Sequence, residues 1–149
     1  MSVPRAADPP SDYVVVGSVQ ANEGKDIQAG VNMQAGDPTL SATFGIFFIG
    51  AMGDARPLHP GTTGSGLSVR DPIVFAPPVE PRQELDTAAG WLKGRYPDGR
   101  ASTAWLLRSP GDRESATYLL LVHFATGAGG GAVYFDLTRW ARETRKIGS

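Results

Sequence analysis

Apolar and polar residues alternate in the clearest segment of the chain. Across residues 26–35, Ile27, Ala29, Val31, Met33 and Ala35 interleave with Asp26, Gln28, Gly30, Asn32 and Gln34, a period of two that predicts a strand with one dry face. The preceding residues 13–20 (YVVVGSVQ) are β-branched, and Asn22-Glu23-Gly24 supplies a turn between the two. After Gly36-Asp37-Pro38, residues 39–51 carry Phe44, Ile46 and Phe48 on one side of an extended chain and Phe47 and Ile49 on the other. That pattern predicts a strand buried on both faces. With connections this short, the three segments read as an antiparallel meander.

Residues 53–66 have closely spaced glycine and proline and no periodicity, which predicts a long loop. A fourth strand, 67–76, is interrupted by Pro72, whose missing N–H confines it to an edge or a bulge. Glu80 and Pro81 then open a helix over 81–96, with Leu85, Ala88, Ala89, Leu92 and Tyr96 on one stripe. Gly90 and Gly94 each weaken it by about 1 kcal/mol relative to alanine, which implies that a sheet approaches that side closely. Strands follow at 102–108, 116–124 and 132–138, joined as hairpins by 110–114 and 125–131. Residues 118–122 do not alternate, so that strand should be central and covered on both faces. Residues 139–146 (RWARETRK) suffice for two helical turns carrying Trp140, which hold only if docked.

The expected class is therefore α+β and predominantly β. About seven mostly antiparallel strands form a sandwich or partly closed barrel, with one helix near 81–96 and a short helix after residue 138.

Composition narrows the chemistry. The chain has 149 residues, 41% of them hydrophobic, which is enough for a core without staples, and residues 13–149 are expected to form one domain. Residues 1–12, with Pro4, Pro9 and Pro10 and little to bury, are expected to be a flexible arm. Cysteine is absent, which excludes disulfides, cysteine-ligated metals and a thiol nucleophile. The net charge of -1 argues against nucleic acid as a partner through bulk attraction. Charge is uneven all the same: residues 1–80 have four basic and eight acidic side chains, and residues 81–149 have ten and seven. No segment resembles a secretory signal or reaches the roughly 20 apolar residues of a spanning helix, so the expectation is a cytoplasmic protein with no membrane partner.

Candidate chemistry is sparse. His123 lies near the end of a central strand and Asp136 on the next, so a hairpin can set a carboxylate beside an imidazole if the register allows. With Phe124 opposite Ala132 the two point to opposite faces, and a slip of one residue puts them on the same face. His59, with Asp54 and Asp71, matches no metal-ligand spacing, and no cofactor or metal is implied. The glycine runs at 61–66 and 127–131 join no strand to a helix, so neither has the context of a phosphate cradle. Arg139, Arg142, Arg145 and Lys146 around Trp140 form the one basic patch with an aromatic inside it.

The leading expectation is a non-enzymatic binding or assembly module acting through protein contacts with a partner or a second copy. Its motive is surplus apolar surface: Phe47 and Ile49 on the second face of their strand, and Trp91 off the helix stripe. Trp140 and Arg142 of the basic patch complete the candidate binding residues. The alternatives are a small hydrolase or isomerase using His123 with Asp136, and weak nucleic-acid contact through the basic tail. No small-molecule ligand is indicated.

The alternation over 26–35 makes a direct prediction. Val31→Asp should destabilise by about 3 kcal/mol or more through an unpaired charge on the dry face, whereas Gln28→Asp should be nearly silent. Denaturant titration of both variants checks the assigned period.

Overall fold

A computed structural model describes residues 10, 12–22, 26–31, 38–54, 56–77, 79–97, 100–112, 115–127 and 129–147. The elements in chain order are β1 (Val14–Asn22), β2 (Asp26–Val31), α1 (Pro38–Asp54), β3 (Thr62–Thr63), β4 (Val74–Phe75), α2 (Glu84–Arg95), β5 (Arg100–Arg108), β6 (Tyr118–Thr126), β7 (Gly129–Asp136) and α3 (Thr138–Ile147). A 3-10 turn, Pro81–Gln83, leads into α2. The class is α+β, and residues 1–9 and 11 of the arm expected over 1–12 lie outside the described residues.

The architecture differs from the sandwich or barrel expected. A five-stranded antiparallel sheet runs in the order β2-β1-β5-β6-β7, and β3 and β4 make a separate ribbon. The three helices contribute Leu40, Phe44 and Phe48 from α1, Leu85 and Ala88 from α2, and Trp140 and Ala141 from α3 to one core, with Val19, Leu106, Leu120 and Phe135 from the sheet. The opposite face has its own cluster of Leu107, Leu119, Leu121 and Tyr134, packed by Tyr13, Val15, Val69, Trp105 and Ala132. No described helical residue belongs to it.

The largest correction is α1, which occupies the segment expected to be the third strand of a meander. Leu40, Phe44 and Phe48 recur at i, i+4 and i+8, so they satisfy a helical stripe as well as the alternation that suggested a strand. Their rings and side chains are buried, with Phe44 and Phe48 stacked at 5.7 Å. Pro38 stands at the first helical position, where its missing N–H costs nothing. A helix seated here approaches the β1–β2 hairpin closely. Ser41 Oγ donates to the Gly30 carbonyl at 3.5 Å, and a Cβ on Gly17 would collide with Ser41 Oγ. Phe47 and Ile49 fall within this helix, which removes the second strand face assigned to them; their side chains lie outside the described residues.

With residues 39–51 removed from the sheet, β1 pairs with β5 instead, Val19 opposite Ala104. The strand expected over 67–76 shrinks to β4, because residues 66–73 do other work. Tyr134 N–H donates to Gly66 O at 2.8 Å, Ile73 N–H to Tyr134 O at 2.8 Å, and Asp136 N–H to Ile73 O at 2.9 Å. These bonds close the β7 edge of the sheet. The strand expected to be covered twice is so covered: Tyr118, Leu120 and Val122 of β6 enter the helix-side core, and Leu119 and Leu121 the other cluster. Among the described residues no helix is long and apolar enough to cross a membrane.

The helix expected over 81–96 is present as the 3-10 turn and α2, but its two glycines face a loop rather than a sheet. Leu58 N–H donates to the Gly90 carbonyl at 2.9 Å. A Cβ on Gly94 would meet the Leu58 carbonyl oxygen and come within 2.9 Å of His59 Cε1. Gly94→Ala should therefore cost about 1–3 kcal/mol from overpacking, outweighing a helix-propensity gain of about 1 kcal/mol. A urea titration decides: net stabilisation would mean that residues 56–60 do not rest on α2.

Candidate functional site

The face of the sheet that is helix-free among the described residues has a half-buried aromatic pair at its centre. Trp105 of β5 pairs with Leu121 of β6 in register and is thus diagonal to His123 on the same face. Their rings meet edge to face, with centroids 4.5 Å apart at 75°. Around them the surface is low. Ser18 opposes Trp105, Thr103 opposes His123, and Ala132 faces His123 from β7. The exposed Gln20, Gly30, Ala125 and Gly130 continue outward. Below the pair, Leu107, Leu119, Leu121 and Tyr134 are buried beneath Tyr13, Val15 and Val69. Burial, with the neighbouring Tyr13 phenol, holds the Tyr134 hydroxyl above its ordinary pKa. Leu67, two residues before Val69 in the segment bonded along the β7 edge, is 78% exposed.

The β6–β7 register places Phe124 opposite Gly131, one residue from the pairing with Ala132 considered above. That shift puts His123 and Asp136 on the same face, yet it does not bring them together. His123 faces Ala132 and Asp136 faces Leu119, a separation of four residues, or roughly 13 Å along a strand. Asp136 is engaged elsewhere: its Oδ1 accepts the Thr138 N–H at 2.9 Å, capping α3.

The start of α3 gathers the described groups that sequence reasoning missed. Thr138 Oγ1 accepts the Tyr118 N–H at 3.0 Å and lies 3.4 Å from the Tyr118 carbonyl, to which it donates. Glu84, the first residue of α2, is only 2% exposed. Its Oε1 accepts the Trp140 N–H at 3.2 Å, while its Oε2 lies 3.4 Å from Arg139 Nε. Arg139 also donates from Nη2 to the Val79 carbonyl at 3.0 Å. Burial raises the Glu84 carboxyl to about 7, against the lowering effects of Arg139 and the Trp140 N–H and with a smaller upward push from Asp136. In the sequence Glu84 reads only as an acidic residue in a helix's first turn, a position that is normally solvated, so nothing local marks it as buried.

The remaining sequence candidates are dispersed. Trp91 folds back onto the helix-side core, edge-on to Phe135 at 5.4 Å, with Tyr96 at 6.4 Å. Trp140 is 4% exposed, which removes it as a stacking surface for bases, and Arg142 is exposed beside it on α3. His59 rests beside Gly94, and Asp71 Oδ2 accepts the Ser65 N–H at 3.1 Å. Among the described residues no three His, Asp or Glu side chains converge as a metal ion requires.

If Asp136 serves as a cap and His123 as part of the aromatic pair, their substitutions should be independent. Asp136→Ala is expected to cost about 1 kcal/mol through the lost cap. Combined with His123→Ala, the effects should add to within about 0.5 kcal/mol in a double-mutant cycle. A coupling well above that would tie the two residues into one unit.

No protein family model, curated protein or solved structure matches the chain, so its functional reading rests on its own geometry.

Proposed function

We propose that the protein is a non-enzymatic assembly module that associates with a second copy of itself through the helix-free face of its sheet. The observation that carries this reading is the one-sided layering of the sheet. All the described helical core residues lie on one face, while the other has a buried apolar cluster bordered by the half-buried Trp105–His123 pair and contacted by Val69 of the segment that carries the exposed Leu67. Flat, aromatic-centred surfaces with few long charged side chains are the composition of interface cores. The motive thus moves from Phe47, Ile49 and Trp91 to Trp105, His123 and Leu67.

The enzymatic alternative finds less support, since His123 and Asp136 occupy separate surroundings. Nucleic-acid contact through α3 would lack its aromatic, because Trp140 is buried.

Light scattering across a concentration series tests the proposal. The wild type should exceed 15.7 kDa and approach twice that mass; Leu67→Lys should return it toward 15.7 kDa without loss of stability, and Trp105→Lys should do the same at a cost in stability, because that ring packs on the buried cluster. A wild type that remains at 15.7 kDa up to millimolar concentration would overturn it.

A further inference from the structure

The junction between α2 and α3 places a buried carboxyl group where a helix must be held down. Three contacts meet there: Glu84 Oε1 with the Trp140 N–H, Glu84 Oε2 with Arg139, and Asp136 Oδ1 with the Thr138 N–H. An ionised carboxylate offers about four lone-pair sites, and the described contacts of Glu84 occupy two. One partner, Arg139, has a side chain 48% exposed, so its attraction is diluted by water. The other charged group acting on Glu84 is the Asp136 carboxylate, which repels it.

The neutral form fits this place better. Protonated Glu84 can still accept the Trp140 N–H, and Arg139 retains the Val79 carbonyl and solvent. The charged form must instead be held in a site that excludes water. The strand-to-strand rungs of the five-stranded sheet are made without α3, and the Thr138–Tyr118 bonds tie it only to the start of β6, so the helix can loosen while the rest of the strands stay paired.

We propose that α3 is a proton-sensitive latch: a proton on Glu84 favours the docked helix, and loss of that proton weakens its seat on the helix-side core. Lifting α3 uncovers Trp140 and Ala141 together with the surface they cover. The sign follows from linkage. Undocking exposes Glu84 and returns it to its ordinary 4.5, whereas docking holds it near 7. The extra stability of the docked state is complete below 4.5 and is lost as pH rises through 7. Between pH 5.5 and 8.0 the docking equilibrium should weaken roughly 25-fold.

Amide hydrogen exchange, corrected for the intrinsic effect of pH, reads this on the full chain. Peptides covering α3 should lose roughly 25-fold in protection from pH 5.5 to 8.0. Peptides from β6 beyond Tyr118, whose N–H is bonded to Thr138, should hold theirs, and in Glu84→Gln the α3 response should be flat. A flat α3 response in the wild type, α3 and β6 falling in step, or an unchanged slope in Glu84→Gln would each overturn the latch. Should Glu84→Gln fail to fold, the wild type still decides by its exchange profile and by the carboxyl-carbon resonance of Glu84. A midpoint near 7 is expected there, and one near 4.5 would overturn the proposal.

Discussion

The constraint on which the fold turns is that β6 has no polar side over its first five residues. Tyr118, Leu119, Leu120, Leu121 and Val122 are all buried, so the strand must be covered twice. The helix layer covers Tyr118, Leu120 and Val122. Leu119 and Leu121 are covered without a helix, by flanking strand residues, by Tyr13 and Val15 ahead of and within β1, and by Val69 from the segment that closes the β7 edge. Burying apolar surface is worth about 25 cal/mol per Å², and both layers draw on it. They differ in finish, since helices seal one face while strand margins and a loop leave Trp105 and His123 half-buried on the other.

Attaching the helix layer creates a second demand, because the first turn of a helix brings backbone N–H groups that need acceptors. At α3 those acceptors are Asp136 from the preceding strand and Glu84 from a residue 56 positions earlier. The second arrangement ties α2 to α3 directly. It also draws a carboxyl group out of water, and the same contact that orders the helix layer makes that layer responsive to protons. The two features of functional interest thus lie on opposite faces of one sheet. An aromatic pair sits where no described helix covers the sheet, and a titratable cap sits where the helices join.

Much of this was legible in the residues taken alone. The apolar run of β6, the β6–β7 hairpin, the stripe of α2 and the short helix carrying Trp140 follow from local period and turn chemistry, which act within a few residues. Segment 39–51 was not, because Phe44, Ile46 and Phe48 satisfy a period of two while Leu40, Phe44 and Phe48 satisfy a helical one. Its length, beyond most strands, favours the helix that forms. The register of β6 against β7 was one residue from the pairing with Phe124 opposite Ala132, and one residue decides which face each side chain occupies.

Sequence by itself determined which segments are apolar and where the chain turns, since those depend on side chains and backbone within one element. Tertiary structure decided the rest. It set β1 beside β5 rather than in a meander, turned residues 39–51 into a helix against the β1–β2 hairpin, and brought Glu84 to the Trp140 N–H. None of these contacts has a local signature, because each depends on groups distant in sequence whose burial is set only when the helices pack on the sheet.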